Sequence, residues 1–166
     1  MSRSSKLVVS AAAALLVLAL GAGAALAVTS AEQTRETYVA QVEPICKQNT
    51  KANEQILAGV RKKIKNGQLS VAAGQFAKAS SAFGKAVKQI KAVPQPAADT
   101  AKLAKWTGYL EGETKLLGEI GKALKAGNKS RAQTLSIKLT HNGNLANNAV
   151  LGFDFEYCLI DSSRFS

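Results

Sequence analysis

The chain offers few side chains that could do chemistry, and the two cysteines come first. Cys46 follows Tyr38-Val39-Ala40-Gln41-Val42-Glu43-Pro44-Ile45, and Cys158 lies near the far end. With two cysteines only one intramolecular pairing exists, and an even count in an oxidising compartment points to a disulfide. Closing so long a loop would stabilise the fold by about 4–5 kcal/mol in chain-entropy terms, less any strain. The carboxylates Glu43, Asp154, Glu156 and Asp161 could then be drawn together, as a weak hard-cation site or as an acid-base pair of Glu43 with Asp154. Solvated terminal acids are the plainer reading.

The remaining inventory argues against a cofactor, a metal or a familiar enzyme. His141 is the single histidine, and the residue three before it is Lys138, so the Glu-x-x-His pairs of di-iron bundles are missing. Covalent haem attachment needs Cys-x-x-Cys-His, and a methionine axial ligand would have to come from Met1. Zinc has too few cysteine and histidine ligands. No nucleophile elbow accompanies His141, and the glycines are scattered rather than gathered into a phosphate loop. The sequence therefore reads as non-enzymatic.

The elements that would position these residues are helical. Residues 1–27 read as a signal segment. Arg3 and Lys6 precede an uncharged run from Leu7, and the small residues Ala25 and Ala27 fit cleavage after Ala27. An uncleaved anchor over residues 7–28 is the alternative. Residues 28–166 are one domain's worth of chain. Aromatics are few, while Ala, Lys, Leu and Gly are many, which favours helix over sheet.

Ser30 and Gln33 fit a capping box for a first helix, whose stripe is Tyr38, Val42, Ile45, Asn49, Ala52, Ile56 and Val60. Pro44 would kink that helix or mark its start, and Asn66-Gly67 would end it. Ser70 would cap a second helix with Phe76, Ala79, Phe83, Val87 and Ile90 on one face. Pro94-Gln95-Pro96 is a break. A third stripe runs Leu103, Trp106, Leu110, Leu117, Ile120 and Leu124 to Gly127, and Glu113 falls where an apolar residue was due. Asn128 can cap a fourth helix, with Ala132, Leu135, Leu139, Asn142, Ala146, Ala149 and Phe153 as its stripe and Gly152 loosening or ending it.

Four such helices with short connections predict an all-α, antiparallel up-and-down four-helix bundle. Helices one and four would be neighbours. Setting Cys46 against Cys158 would place Asn49 near Phe155 and Asn142 near Lys62, so the two asparagines would not pair. A pocket between the helices near Asn49, Trp106 and Asn142 is one functional reading; a wet seam is the plainer one.

The other reading is electrostatic. The formal net charge is +11, and Lys62, Lys63 and Lys65 are followed by Lys78, Lys85, Lys88 and Lys91 with helical spacing. That face would dock on anionic envelope polymers or lipid headgroups, or would simply keep the protein soluble. Nucleic acid is a poor partner, because no aromatics are interleaved for base stacking.

Several features occur together. They are the early Cys46, the Pro-x-Pro break before a helix with a central Trp106, Ala123-Leu124-Lys125-Ala126-Gly127-Asn128, and Leu151-Gly152-Phe153 shortly before Cys158. The chain thereby resembles a group of small exported helical proteins from high-GC Gram-positive bacteria. The resemblance implies export, a single bundle and a bridge from the first helix to the C-terminus. It supplies no activity and no catalytic residues.

Overall fold

The computed structural model describes residues 33–161. The signal segment and Ser30 lie outside the described residues. Four long helices pack into a bundle: α1 (Arg35–Leu57), α3 (Leu69–Ala92), α4 (Thr100–Lys125) and α5 (Lys129–Ala149). A short α2 (Val60–Lys65) and a single 3-10 turn (Ala97–Asp99) lie in the connections. None of these helices is long and apolar enough to cross a membrane.

The first helix starts later than the Ser30 capping box predicts. Thr34 is its N-cap: the Thr34 hydroxyl accepts the Thr37 amide at 3.2 Å, and the Thr37 hydroxyl accepts the Thr34 amide at 3.0 Å. Pro44 lies inside α1 and does not mark its start. Pro44 and Ala40 are both exposed, so water can satisfy the carbonyl that lacks an amide donor.

The helix also ends earlier than Asn66-Gly67. Ala58 turns extended and Gly59 takes φ 66°, which separates α1 from α2. Apolar spacing carries straight through this break from Ile56 to Val60, so periodicity could not reveal it. The Gln75 side chain donates to the carbonyls of Ile56 (2.6 Å) and Ala58 (3.2 Å), which repairs the exposed helix end.

Gln68, not Ser70, precedes the first turn of α3. The tight reversal at Gly67 (φ 77°) places the helix start two residues earlier. The Pro94–Pro96 break stands between α3 and α4 as expected. Asn128 caps α5, its side-chain oxygen accepting the Arg131 amide at 2.9 Å, after Gly127 closes α4 with φ 73°.

Packing follows chain order: α1 on α3, α3 on α4, α4 on α5. The expected seam between the first and last long helices does not form, and α1 and α5 scarcely touch. The reason is the segment after α5. Val150 caps α5, Gly152 (φ 86°) turns the chain, and residues 153–161 run back as a strap between α1 and α5. Phe153, expected on the α5 stripe, belongs to this strap.

The core has two parts. Toward the α1 N-terminus, Tyr38, Val42, Ile90, Leu103, Trp106 and Phe153 pack together. Toward the α3 N-terminus, Leu57, Phe76, Leu117, Ile120, Leu124 and Leu135 do so. Arg35 locks the first part from outside. Its guanidinium donates to both Asp99 carboxylate oxygens (2.9 and 2.7 Å) and to the Gly152 carbonyl (3.2 Å), and it lies 4.7 Å over the Phe153 ring. That fork-to-fork ion pair holds the Asp99 carboxyl below its ordinary pKa.

Candidate functional site: a chamber between the helices and the strap

The strap is fastened to α1 at several points. Cys46 and Cys158 are joined by a disulfide with a Cα–Cα distance of 5.0 Å. One turn before Cys46, the Glu43 carboxylate accepts the backbone amides of Glu156 (2.9 Å), Tyr157 (3.0 Å) and Cys158 (3.3 Å). The Glu43 carboxylate thereby serves as the acceptor for three consecutive strap amides. Among the described residues no three His, Cys, Asp or Glu side chains gather as metal ligands. Lys47 lies 4.6 Å over the Tyr157 ring and Thr50 donates to the Tyr157 carbonyl at 3.4 Å.

On the other side the strap is fastened to α5. Asn147 donates to the Ile160 carbonyl at 2.9 Å and accepts the Ile160 amide at 2.8 Å. This two-way bond lets one side chain act like a neighbouring strand. Phe155 stacks on Trp106 with ring centroids 5.2 Å apart and on Phe153 at 5.5 Å. The strap therefore supplies aromatic packing that a fourth helix seam would otherwise have provided.

Behind the strap the helices leave a chamber of about 280 Å³. It is well above the ~150 Å³ of an engineered apolar cavity that admits benzene, and near the lower bound for ligand pockets. Its wall is mainly apolar, with Leu57, Phe76, Phe83, Ile90 and Leu110 among the lining residues. Polar side chains interrupt that wall. Thr50, Ser136, Thr140, Asn144 and Tyr157 are among them, and four more are Asn49, Asn53, Trp106 and Glu113. Arg61 and Asp161 also line it, and both are exposed.

Each of the four arrives by helical spacing. Asn49 and Asn53 are one turn apart on α1, and the Asn53 side chain donates to Asn49 Oδ1 at 2.9 Å. Asn53 is 3% exposed, yet its Oδ1 has no hydrogen-bond partner. Trp106 is fully buried, and its indole N–H also has no partner. Glu113 sits two turns further along α4 and is 3% exposed. Its Oε1 accepts the Asn142 amide at 2.8 Å, and its Oε2 takes no hydrogen bond from the described residues. Burial pushes the Glu113 carboxyl up to about 7, and the Asn142 bond only partly opposes that shift.

Of the residues expected at a pocket, Asn49 and Trp106 line the chamber. Asn142 stands one step behind it, holding Glu113 and donating to the Tyr109 carbonyl at 2.8 Å. Asn142 turns to α4 and not to the expected seam with α1. Asn53 and Glu113 are the additions. Glu113 is visible in the sequence as a charge in an apolar slot; Asn53 is missed because α1 buries Tyr38, Val42, Cys46, Asn53 and Leu57, one residue on from the expected Ile45, Ala52 and Ile56.

Lys62, Lys65, Lys78, Lys85 and Lys88 are exposed. Two of the expected members have partners: Lys91 pairs with Glu111, and Lys63 donates to the Ala58 carbonyl at 3.3 Å. No known protein family, curated protein or solved structure matches this chain.

Proposed function

We propose that the protein is an extracytoplasmic, non-catalytic binding module that holds a small molecule in the chamber between its helices. The observation that carries this reading is a mainly apolar chamber of about 280 Å³ whose wall includes buried polar groups without partners. A buried unsatisfied donor or acceptor costs about 1–3 kcal/mol, so Asn53 Oδ1 and Trp106 Nε1 together are a standing cost that a bound ligand would offset. The basic N-terminal run with Ala25 and Ala27, together with a disulfide, supports export. The test is native mass spectrometry of the oxidised protein purified from its own host. An adduct that survives buffer exchange and leaves on denaturation supports the reading. A bare mass, with no change in melting temperature across a metabolite extract, removes it.

A second reading draws on the outer face of α3. Lys78, Lys85 and Lys88 stay exposed on one stripe, and none of them has an acidic partner among the described residues. This favours electrostatic docking on an anionic envelope polymer or headgroup, which would deliver the binding module to the cell surface. Such docking weakens steeply with salt. Unchanged retention on anionic vesicles after reversing the charge at Lys85 and Lys88 would sink it.

A further inference from the structure

We propose that the chamber is built for a small organic cation, a protonated amine carried on an apolar body, with Glu113 as its counter-ion. This rests on the chamber being a ligand site and names the class of ligand.

The polar groups of the wall are not balanced. Asn53 Oδ1, an acceptor, and Trp106 Nε1, a donor, are buried without partners, and no hydrogen bond from the described residues reaches Glu113 Oε2, a second acceptor. A guest that completes this set brings more N–H donors than acceptors. An ammonium has three donors and no acceptor, so it answers the acceptors and leaves the Trp106 indole N–H to the rest of the guest.

The charges are not balanced either. Arg61, Glu113, Tyr157 and Asp161 are the ionisable side chains of the chamber wall. None comes from α1, α3 or α5, apart from the bridged Cys46 of α1. Arg61 and Asp161 are exposed, so the buried part of the chamber holds a single ionisable acid and no cation. An acid in that setting stays neutral or finds a positive partner. The helices offer Glu113 only the Asn142 amide. Its carboxyl accordingly titrates at about 7 when the chamber carries no positive guest.

The rest of the wall suits the rest of such a molecule. Trp106, Phe76, Phe83 and Tyr157 line the chamber, and aromatic faces attract a desolvated cation as well as an apolar ring. A carboxylate guest would meet the Glu113 carboxyl and the unpaired Asn53 Oδ1 instead, and like charge beside a buried acid is unfavourable.

The experiment compares three probes of one shape: cyclohexylamine, cyclohexanol and cyclohexanecarboxylate. Each is titrated into the full oxidised protein at pH 8, read by emission of Trp106, the single tryptophan, and by melting temperature. Cyclohexylamine should bind saturably and at least tenfold more tightly than the other two. Its affinity should fall toward acid, by up to tenfold per pH unit below about 7, because Glu113 must give up its proton to receive it. Glu113→Gln should weaken the amine at least tenfold and leave cyclohexanol unchanged. The pH titration of the unaltered protein tests the same assignment without a variant. Equal binding of amine and alcohol, unmoved by Glu113→Gln or by pH, overturns the cation assignment while leaving a ligand chamber. If none of the three binds, the assignment falls as well, and the mass-spectrometric test then decides the chamber.

Discussion

Asn142 Nδ2 lies 2.8 Å from Glu113 Oε1 and 2.8 Å from the Tyr109 carbonyl, so one α5 amide directs both of its protons to α4. The contact ties the two helices at the level of the chamber and fixes the orientation of the buried acid.

The sign of the Glu113 titration gives the first prediction. In the unfolded chain this carboxyl titrates near 4.5, and in the native state near 7. Below 4.5 both states hold the proton and the group contributes nothing to the pH dependence. Between 4.5 and 7 the unfolded chain releases its proton first, so native stability falls as pH rises, by about 3 kcal/mol in all. Glu113→Gln should remove this slope. Urea unfolding at pH 4 and pH 8 should show little change at pH 4 and a stabilised variant at pH 8.

Loss of the bridge is the second. Cys46 and Cys158 are 112 residues apart, so replacing both by serine should destabilise the fold by about 4 kcal/mol. The same variant should release the strap. Calorimetry reads the stability, and loss of Trp106–Phe155 stacking should shift the Trp106 emission to the red.

Glu43 gives a local prediction. Glu43→Gln keeps the shape but loses the charge that three strap amides converge on, at a cost of about 1–2 kcal/mol. Hydrogen exchange at Glu156, Tyr157 and Cys158 should speed up well before exchange in α3 and α4 changes. Uniform acceleration across the bundle would contradict a local clamp.

Two glycines of α4 should respond in opposite directions. A Cβ at Gly121 would stand 3.1 Å from the Ala73 carbonyl and 3.3 Å from Phe76 Cβ, so Gly121→Ala should cost about 1–3 kcal/mol by forcing α3 and α4 apart. Gly108 is exposed and a Cβ there meets nothing within 4 Å, so Gly108→Ala should stabilise by about 1 kcal/mol. Thermal melts of the pair separate close packing from helix propensity.

What can be read in advance follows from what repeats. The stripes of α3 and α4 recur every three or four residues, and each of their members from Phe76 to Leu124 faces inward, Phe83 only partly. The break at Gly59 is hidden because Ile56 and Val60 stay in register across it. The strap is hidden in another way: Phe153 keeps the α5 period past the end of that helix, Phe155 and Cys158 have none, and their burial depends on a gap between α1 and α5 that no local pattern encodes. Glu113 stands out as a misfit in its stripe, but the chamber that explains it is a property of four helices together. Trp106 and Asn49 are legible as polar-tipped residues on inner faces, whereas Asn53 needs the three-dimensional arrangement.

The strap carries one more consequence. Tyr157, Cys158 and Ile160 are wall residues of the chamber as well as points of attachment. A sulfur–sulfur bond is thus part of the container. Under the proposed function, oxidation of two thiols and completion of the binding site would be coupled events in the life of one chain. Competence to hold a guest would be conferred by the redox surroundings after synthesis, so a reduced copy, even one with its helices formed, would be an open vessel.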